Sequence, residues 1–201
     1  MKLYLKPGAC SLSPHIVLEE AGLKYDTEVV DLQKKVTASG QDYWKINPKG
    51  YVPALQLDNG DVITEGPAIV QYLADQVPGK KLAPANGTLE RYKLQAWLTF
   101  IGTEIHKTFS PFFNPATPAE WKAMCRAKLE RRFGYVAEQL AGQDYLMGAE
   151  FSVADAYLFT VIRWAKHIEL ELSQWPALAA YQARVAARPA VVAAMKAEGL
   201  L

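Results

Sequence analysis

Cysteine is scarce in this chain: Cys10 and Cys125 are the only two among 201 residues. So distant a pair argues against the disulfide framework of a small secreted domain. Neither cysteine has Cys or His neighbours at zinc-binding spacing. Charge of one sign is lacking too. Lys and Arg number 22 against 21 Asp and Glu, a net charge of +1, which argues against a general nucleic-acid binder. No apolar run approaches the roughly 20 residues that span a bilayer. Met1-Lys2-Leu3-Tyr4-Leu5-Lys6 reaches Pro7-Gly8 before a signal-peptide core could form. Internal repeats and low-complexity tracts are missing as well. These absences lead us to expect a cytoplasmic, metal-free protein with neither membrane nor nucleic acid among its partners. What is present is a hydrophobic half, enough for one large core or two small ones.

The amino-terminal part alternates strand and helix signals. Lys2 to Lys6 reads as a short strand and Gly8 as a turn. Ser11 or Ser13 is the candidate cap of a helix that takes Pro14 in its first turn. That helix carries Ile16, Val17 and Leu18 and stops at Gly22. Thr27 to Leu32 is a second strand, and strand, helix, strand implies a parallel pair with a crossover. Val52–Leu57 and Val62–Thr64 flank Asp58-Asn59-Gly60-Asp61, the signal of an antiparallel hairpin. A helix from Pro67 to about Val77 completes the order. The expected fold class is therefore α+β: an amino-terminal thioredoxin-like βαβ-ββα domain over residues 1–78, a Pro/Gly-bearing linker over 79–87, and a carboxy-terminal all-α domain over 88–201. In the latter, Thr117-Pro118-Ala119-Glu120 and Ser152-Val153-Ala154-Asp155 read as capping boxes. Pro176 and Pro189 each open a further helix.

Cys10 follows a strand and precedes a helix amino terminus, where unpaired N–H groups and the helix dipole favour an anion. A thiol so placed is expected to ionise more readily than usual; the plain alternative is a small buried hydrophobe. Cys10-Ser11-Leu12-Ser13 is C-x-x-S, which lacks the second thiol of a dithiol oxidoreductase. A helix over 89–109 has an apolar stripe of Leu94, Trp97, Leu98, Ile101, Ile105 and Phe109, opposite a polar stripe of Tyr92, Gln95, Thr99, Thr103, His106 and Ser110. Cys125 reads as structural and His15 and His167 as ordinary. Lys128 with Arg131-Arg132 reads as a solvated helix face.

Four segments, in this order, resemble bacterial glutathione transferases of the cysteine-containing beta class. Pro7-Gly8-Ala9-Cys10-Ser11-Leu12-Ser13-Pro14-His15 is similar to their active-site segment. Asn47-Pro48-Lys49-Gly50-Tyr51-Val52-Pro53-Ala54-Leu55 is similar to their glutathione-backbone loop. Thr64-Glu65-Gly66-Pro67-Ala68-Ile69 is similar to their γ-glutamyl-binding segment, and Ser152-Val153-Ala154-Asp155 to a helix cap of their carboxy-terminal domain.

The resemblance implies Cys10 and His106 as catalytic groups and glutathione as co-substrate, with no metal. It implies that Pro53 is cis and that Val52 pairs with the cysteinyl part of glutathione as an added strand would. Ser11, Glu65, Gly66, Thr103 and Lys107 join the expected glutathione set. Lys35, or its neighbour Lys34, would meet the glycyl carboxylate. Thr99 would reach a neighbour's site in a twofold homodimer; Glu104, which helical geometry turns away from the Thr99/His106 stripe, would meet glutathione only in the neighbour's site. The chain departs from the family pattern at Gly66, where many members have Ser, and at Thr99, where several have Asn. Phe112, Phe113, Tyr157 and Trp164 are candidate walls for a small hydrophobic electrophile, although a core role suits most of them. The expected function is conjugation of glutathione to such electrophiles in detoxification, with possible Cys10-dependent thiol–disulfide exchange. The alternatives are a glutathione-dependent reductive dehalogenase or disulfide reductase and, third, a non-catalytic ligand carrier or assembly module.

Overall fold

The computed structural model describes all 201 residues. They form two compact units: Met1–Ala83 together with Ala187–Leu201, and Pro84–Ala186.

In the first unit, β1 (Lys2–Leu5), α1 (Leu12–Ala21) and β2 (Asp26–Asp31) make the crossover. β3 (Val36–Thr37) and α2 (Tyr43–Ile46) follow, then β4 (Ala54–Gln56), β5 (Val62–Thr64) and α3 (Gly66–Gln76). The five strands lie in the order β3-β2-β1-β4-β5. β1 and β2 are parallel, and the other pairings are antiparallel. The central strand buries Leu3, Tyr4 and Leu5 in succession, as a strand covered on both faces does. α1 is buried along nearly its whole length and ends on Gly22 in the left-handed conformation, as the sequence suggests. β3 and α2 escaped the sequence reading because two and four residues are too few to show a period. Asp42 caps α2 by accepting the Trp44 N–H (3.0 Å).

Neither serine caps α1. Ser11 precedes the helix, but its hydroxyl accepts the Lys6 N–H (3.1 Å) and donates to the Lys6 carbonyl (3.2 Å). It ties the preceding turn to itself. Ser13 lies inside the helix with its hydroxyl buried and unpartnered.

In the second unit the expected helix over 89–109 is present but not uniform. α4 (Leu89–Phe100), capped by Thr88, runs into a π-helical turn over Ile101–His106 and then α5 (Lys107–Phe109) and a 3-10 turn over Ser110–Phe113. Leu94, Leu98, Ile101, Ile105 and Phe109 are buried, whereas Tyr92, Thr99, Thr103 and Ser110 are exposed; Trp97 of the apolar stripe and Gln95 and His106 of the polar one are only partly buried. α6 (Ala119–Gln139), α7 (Val153–Ile162) and α8 (Pro176–Ala186) complete the unit. All ten residues of α7 are buried, which its apolarity on every side requires.

The capping box expected at Thr117 does not form. Pro118 takes the cap position in an extended conformation with no side-chain cap. The box at Ser152 does: the Asp155 carboxylate accepts the Ser152 N–H at 2.8 Å.

The last helix, α9 (Pro189–Ala197), packs along α1. Arg188 forms a two-point pair with Glu20 (2.6 and 3.0 Å). The sequence assigns residues 88–201 to the helical domain, but the compact units divide at Ala187. Residues 187–201 belong with the first unit because Arg188 and the apolar face of α9 find their partners on α1.

Candidate functional site

Strand directions gather one set of loops. β2 runs parallel to β1, β4 antiparallel to β1, and β5 antiparallel to β4. The registers Leu5↔Val29, Tyr4↔Ala54 and Ala54↔Thr64 therefore put the ends of β1, β2 and β5 beside the start of β4. Cys10, Lys35, Val52-Pro53 and Glu65-Gly66 all leave the sheet at this end. α1 and α3 begin there too, in the usual place for a ligand in a sheet with parallel strands.

The Cys10 side chain is partly exposed, and its Sγ donates to the Val52 carbonyl at 3.2 Å. At the start of α1, Leu12 N–H bonds the Ala9 carbonyl (3.0 Å) and Ser13 N–H the Cys10 carbonyl (3.2 Å). The Val52–Pro53 peptide is cis, as the resemblance implies.

The loop before β4 is held from beneath. Tyr43 Oη and Asn47 Nδ2 both donate to the Tyr51 carbonyl (2.8 and 2.7 Å). Burial pushes the Tyr43 phenol up to about 12, which keeps it a donor at neutral pH. Gly50, at φ +69, lies so close to Trp44 that a Cβ would come within 2.6 Å of the indole. Lys35 Nζ donates to the Gly50 carbonyl (2.7 Å) and lies over the Trp44 and Tyr51 rings. Lys34, by contrast, is exposed beside Asp31. Of the two lysines, the structure places Lys35 against the loop.

Glu65 takes φ +69 just before α3. A non-glycine residue in that region costs of order 1–3 kcal/mol and persists where surroundings over-determine it, often at ligand clamps. Its carboxylate meets Lys49 Nζ at 2.7 Å, and Lys49 also reaches Thr64 Oγ1 (3.0 Å). Gly66 follows as the first residue of α3, its Cβ direction 3.8 Å from the Pro53 ring. Lys49, Tyr43 and Asn47 also bear on this loop and its neighbour Glu65; Asn47 and Lys49 lie within a resembling segment but carry no role of their own there, and Tyr43 lies outside it. A lysine in a turn and a tyrosine in a four-residue helix carry no periodic signal.

The second unit carries the remaining candidates. His106 ends the π-helical turn, a feature common at functional sites. Its Nδ1 lies 2.6 Å from Tyr157 Oη, and the Tyr157 and Trp164 rings meet it edge-on. Both aromatic residues are buried, so they support His106 as core residues. Trp164 also packs on Phe109 and on Phe113, which is 54% exposed; Phe112 is partly buried. Thr99, Thr103 and Lys107 are exposed, and Thr103 Oγ1 donates to the Thr99 carbonyl (2.9 Å).

Glu104 pairs with Arg132 (2.6 Å to Nη2, 2.8 Å to Nε) and Lys128 (3.3 Å). Arg132 first and Lys128 second hold its carboxyl below the ordinary range. Those two cations, part of the face read as solvated, stay about a third exposed and bridge to Glu104, while Arg131 is exposed. Cys125 is a half-buried free thiol on α6. No three His, Cys, Asp or Glu side chains converge as metal ligands, and no helix is long and apolar enough to cross a membrane.

The glutathione S-transferase amino-terminal domain model matches residues 8–76, and the carboxy-terminal domain model residues 100–189. Over 200 residues, covering 100% of both chains, the sequence is 50% identical to Glutathione S-transferase GstA of Escherichia coli O157:H7. The chain belongs to the glutathione S-transferase family. The transferase is similar in structure to BphK, a bacterial member solved as a ternary complex, with a TM-score of 0.98, 61% identity and full coverage of both chains. It is also similar to a sphingomonad glutathione S-transferase solved with glutathione, at a TM-score of 0.96 and 47% identity, again over both full chains. Bacterial beta-class enzymes are among such structural neighbours. The transferase fold and activity inferred from the four sequence segments therefore stand, with a thioredoxin-like sheet and a helical domain.

Proposed function

We propose that this transferase binds glutathione in extended form across the sheet end of its first unit and conjugates it to small hydrophobic electrophiles. One observation carries the reading. A main-chain edge at Val52, a carboxylate at Glu65, a helix amino terminus at Gly66 and a cation at Lys35 all emerge at that end, beside the Cys10 thiol. These are the complements of a tripeptide with an α-ammonium, two carboxylates and a central thiol. Val52 N–H and C=O would pair with the cysteinyl residue. The Val52 carbonyl has a second lone pair to offer while it accepts from Cys10. Gly66 N–H and the α3 amino terminus would take the α-carboxylate. Glu65 would take the α-ammonium, a partner that must share the carboxylate with Lys49. Ser11 shapes the turn through Lys6. Lys35 faces the glycyl carboxylate.

In the helical unit, Tyr157 donating to His106 Nδ1 would leave the proton on Nε2 and make His106 a hydrogen-bond donor or proton relay. Thr99, Thr103 and Lys107 are exposed polar groups that remain in the proposed glutathione set. Glu104 we assign to its own cation clamp rather than to glutathione. Phe112 and Phe113 are the proposed electrophile contacts, with Tyr157 and Trp164 behind them. A twofold homodimer in the cytoplasm, with a detoxifying role, completes the proposal; light scattering at micromolar concentration tests the assembly, and a monomer rejects it.

The partial exposure of Cys10 favours a second reading on the same site. Its thiolate would attack a disulfide sulfur of oxidised glutathione, form a mixed disulfide and release one glutathione thiolate. Ser13 cannot expel the bound half as a second cysteine would.

Calorimetry on Glu65→Ala tests the binding site. Loss of a charge-assisted partner costs about 2 kcal/mol, the lower end for such pairs because Glu65 stays largely exposed in the free protein. Unchanged glutathione affinity in a folded variant removes Glu65 from the site.

A further inference from the structure

The chain's last turn reaches back to the Cys10 turn. Glu198 follows α9, and its Oε2 accepts the Gly8 N–H at 2.9 Å. Its Oε1 lies 2.8 Å from His15 Nδ1 on α1. Both side chains are nearly inaccessible: 7% of Glu198 and 1% of His15 are exposed. His15 Nε2 is buried without a partner. A proton there would be a buried donor with no acceptor, which is costly, so the proton belongs on Nδ1, facing the carboxylate. The Tyr25 ring meets His15 edge-on (5.6 Å) and closes that side. Glu198 thus receives two N–H donors from two different segments and holds them together.

One of those donors lies within the functional turn. Gly8 stands two positions before Cys10, at φ +75, with its Cβ direction 3.4 Å from Leu200. Within the turn, Ala9 N–H bonds the Lys6 carbonyl (3.0 Å), and the Ser11 hydroxyl bonds both polar groups of Lys6. The Glu198 carboxylate is its side-chain tie to α9. Sequence reasoning treated His15 as ordinary and passed over Glu198, because nothing in the sequence links positions so far apart.

We propose that Glu198, oriented by His15, is a positioning residue for Cys10. It fixes the Gly8 peptide, and through it the turn that aims the sulfur at the Val52 carbonyl. The functional consequence rests on the reading of this sheet end as the glutathione site.

The test uses the full chain in a Cys125→Ser background, so that only Cys10 reports. Three quantities are measured well below the melting temperature: hydrogen exchange at the Gly8 amide, the rate of Cys10 alkylation by iodoacetamide, and KM against kcat for conjugation. Glu198→Ala should expose the Gly8 amide to exchange. It should change Cys10 alkylation by about fivefold, the factor that goes with one net hydrogen bond, and raise KM for glutathione more than it lowers kcat. Glu198→Gln, which keeps an oxygen for Gly8, should restore most of each. A purely structural residue would lower the melting temperature and leave these native-state readouts in place. If the alanine variant does not fold, Glu198→Asp, one methylene shorter, takes its place with the same expectation. Exchange and alkylation within twofold of the parent protein overturn the proposal. Because iodoacetamide needs no glutathione, altered alkylation with no glutathione binding to the parent would sink the binding-site reading and leave the positioning role standing.

Discussion

Asp155 offers the sharpest stability test of this fold. Its side chain is fully buried at the start of α7. It accepts from Leu146 N–H (2.9 Å), Ser152 N–H (2.8 Å), Ser152 Oγ (2.8 Å) and Tyr181 Oη (3.1 Å). Burial pushes the Asp155 carboxyl up, and these donors oppose that shift. In Asp155→Ala the Ser152 hydroxyl can rotate, and the Tyr181 hydroxyl keeps the Asp155 main-chain carbonyl as an acceptor. The two main-chain N–H groups cannot turn away. Each orphaned buried donor costs about 1–3 kcal/mol, and removing the desolvation cost of a buried carboxylate returns part of that. The expected net loss is about 3–5 kcal/mol, within the usual range for breaking a buried charged network. At roughly 2–4 °C per kcal/mol for a chain of this size, the melting temperature should fall by about 6–20 °C. Thermal and urea unfolding followed by circular dichroism measure it. Asp155→Asn, which retains one acceptor oxygen but aims an amide at the other donors, should fall between alanine and the parent. A loss below about 1 kcal/mol in the alanine variant, the size of a single net hydrogen bond, would refute the reasoning.

Three further outcomes follow from the geometry. In a Cys125→Ser background, Cys10→Ala should abolish mixed-disulfide formation with oxidised glutathione, read by intact mass, while conjugation falls less because its nucleophile is glutathione's own sulfur; full exchange without Cys10 would show that the chemistry lies elsewhere. Tyr157→Phe removes the hydroxyl on His106 and should lower kcat for both reactions and shift their pH profiles; unchanged profiles would make that contact packing alone. Glu28 is opposed by burial, but hydrogen bonds from Ser39, Thr37 and Lys2 bring its carboxyl down to about 2. Its folded value lies below its unfolded one, so its stabilisation is present above the ordinary carboxylate range of about 4 and is lost as pH falls towards about 2. Glu28→Gln should flatten the acid limb of the stability curve in that window, and an unaltered limb would rule the group out.

By itself the sequence determined whatever is local or periodic. Asn59-Gly60 set the hairpin, Gly22 ended α1, and the 3.6-residue stripe of Leu94, Leu98, Ile101, Ile105 and Phe109 gave the buried face of the long helix. The Ser152–Asp155 cap was legible because its partners lie within one turn. Cys10, Val52-Pro53 and Glu65-Gly66 were legible only as a resembling set; no single one carries enough information. Tertiary structure decided what depends on contacts between distant segments. Local pattern could not say that Ser11 would bond Lys6 instead of capping α1, because the competing partner is set by the turn's path. Nor could it say that Pro118 would displace Thr117 as the cap. The pairing of Glu104 with Arg132 and Lys128 needed two helices side by side. The return of α9 to the first unit needed Glu20 and His15 on α1 to meet Arg188 and Glu198. Such contacts depend on which segments the folded chain brings side by side, which no spacing along the chain encodes.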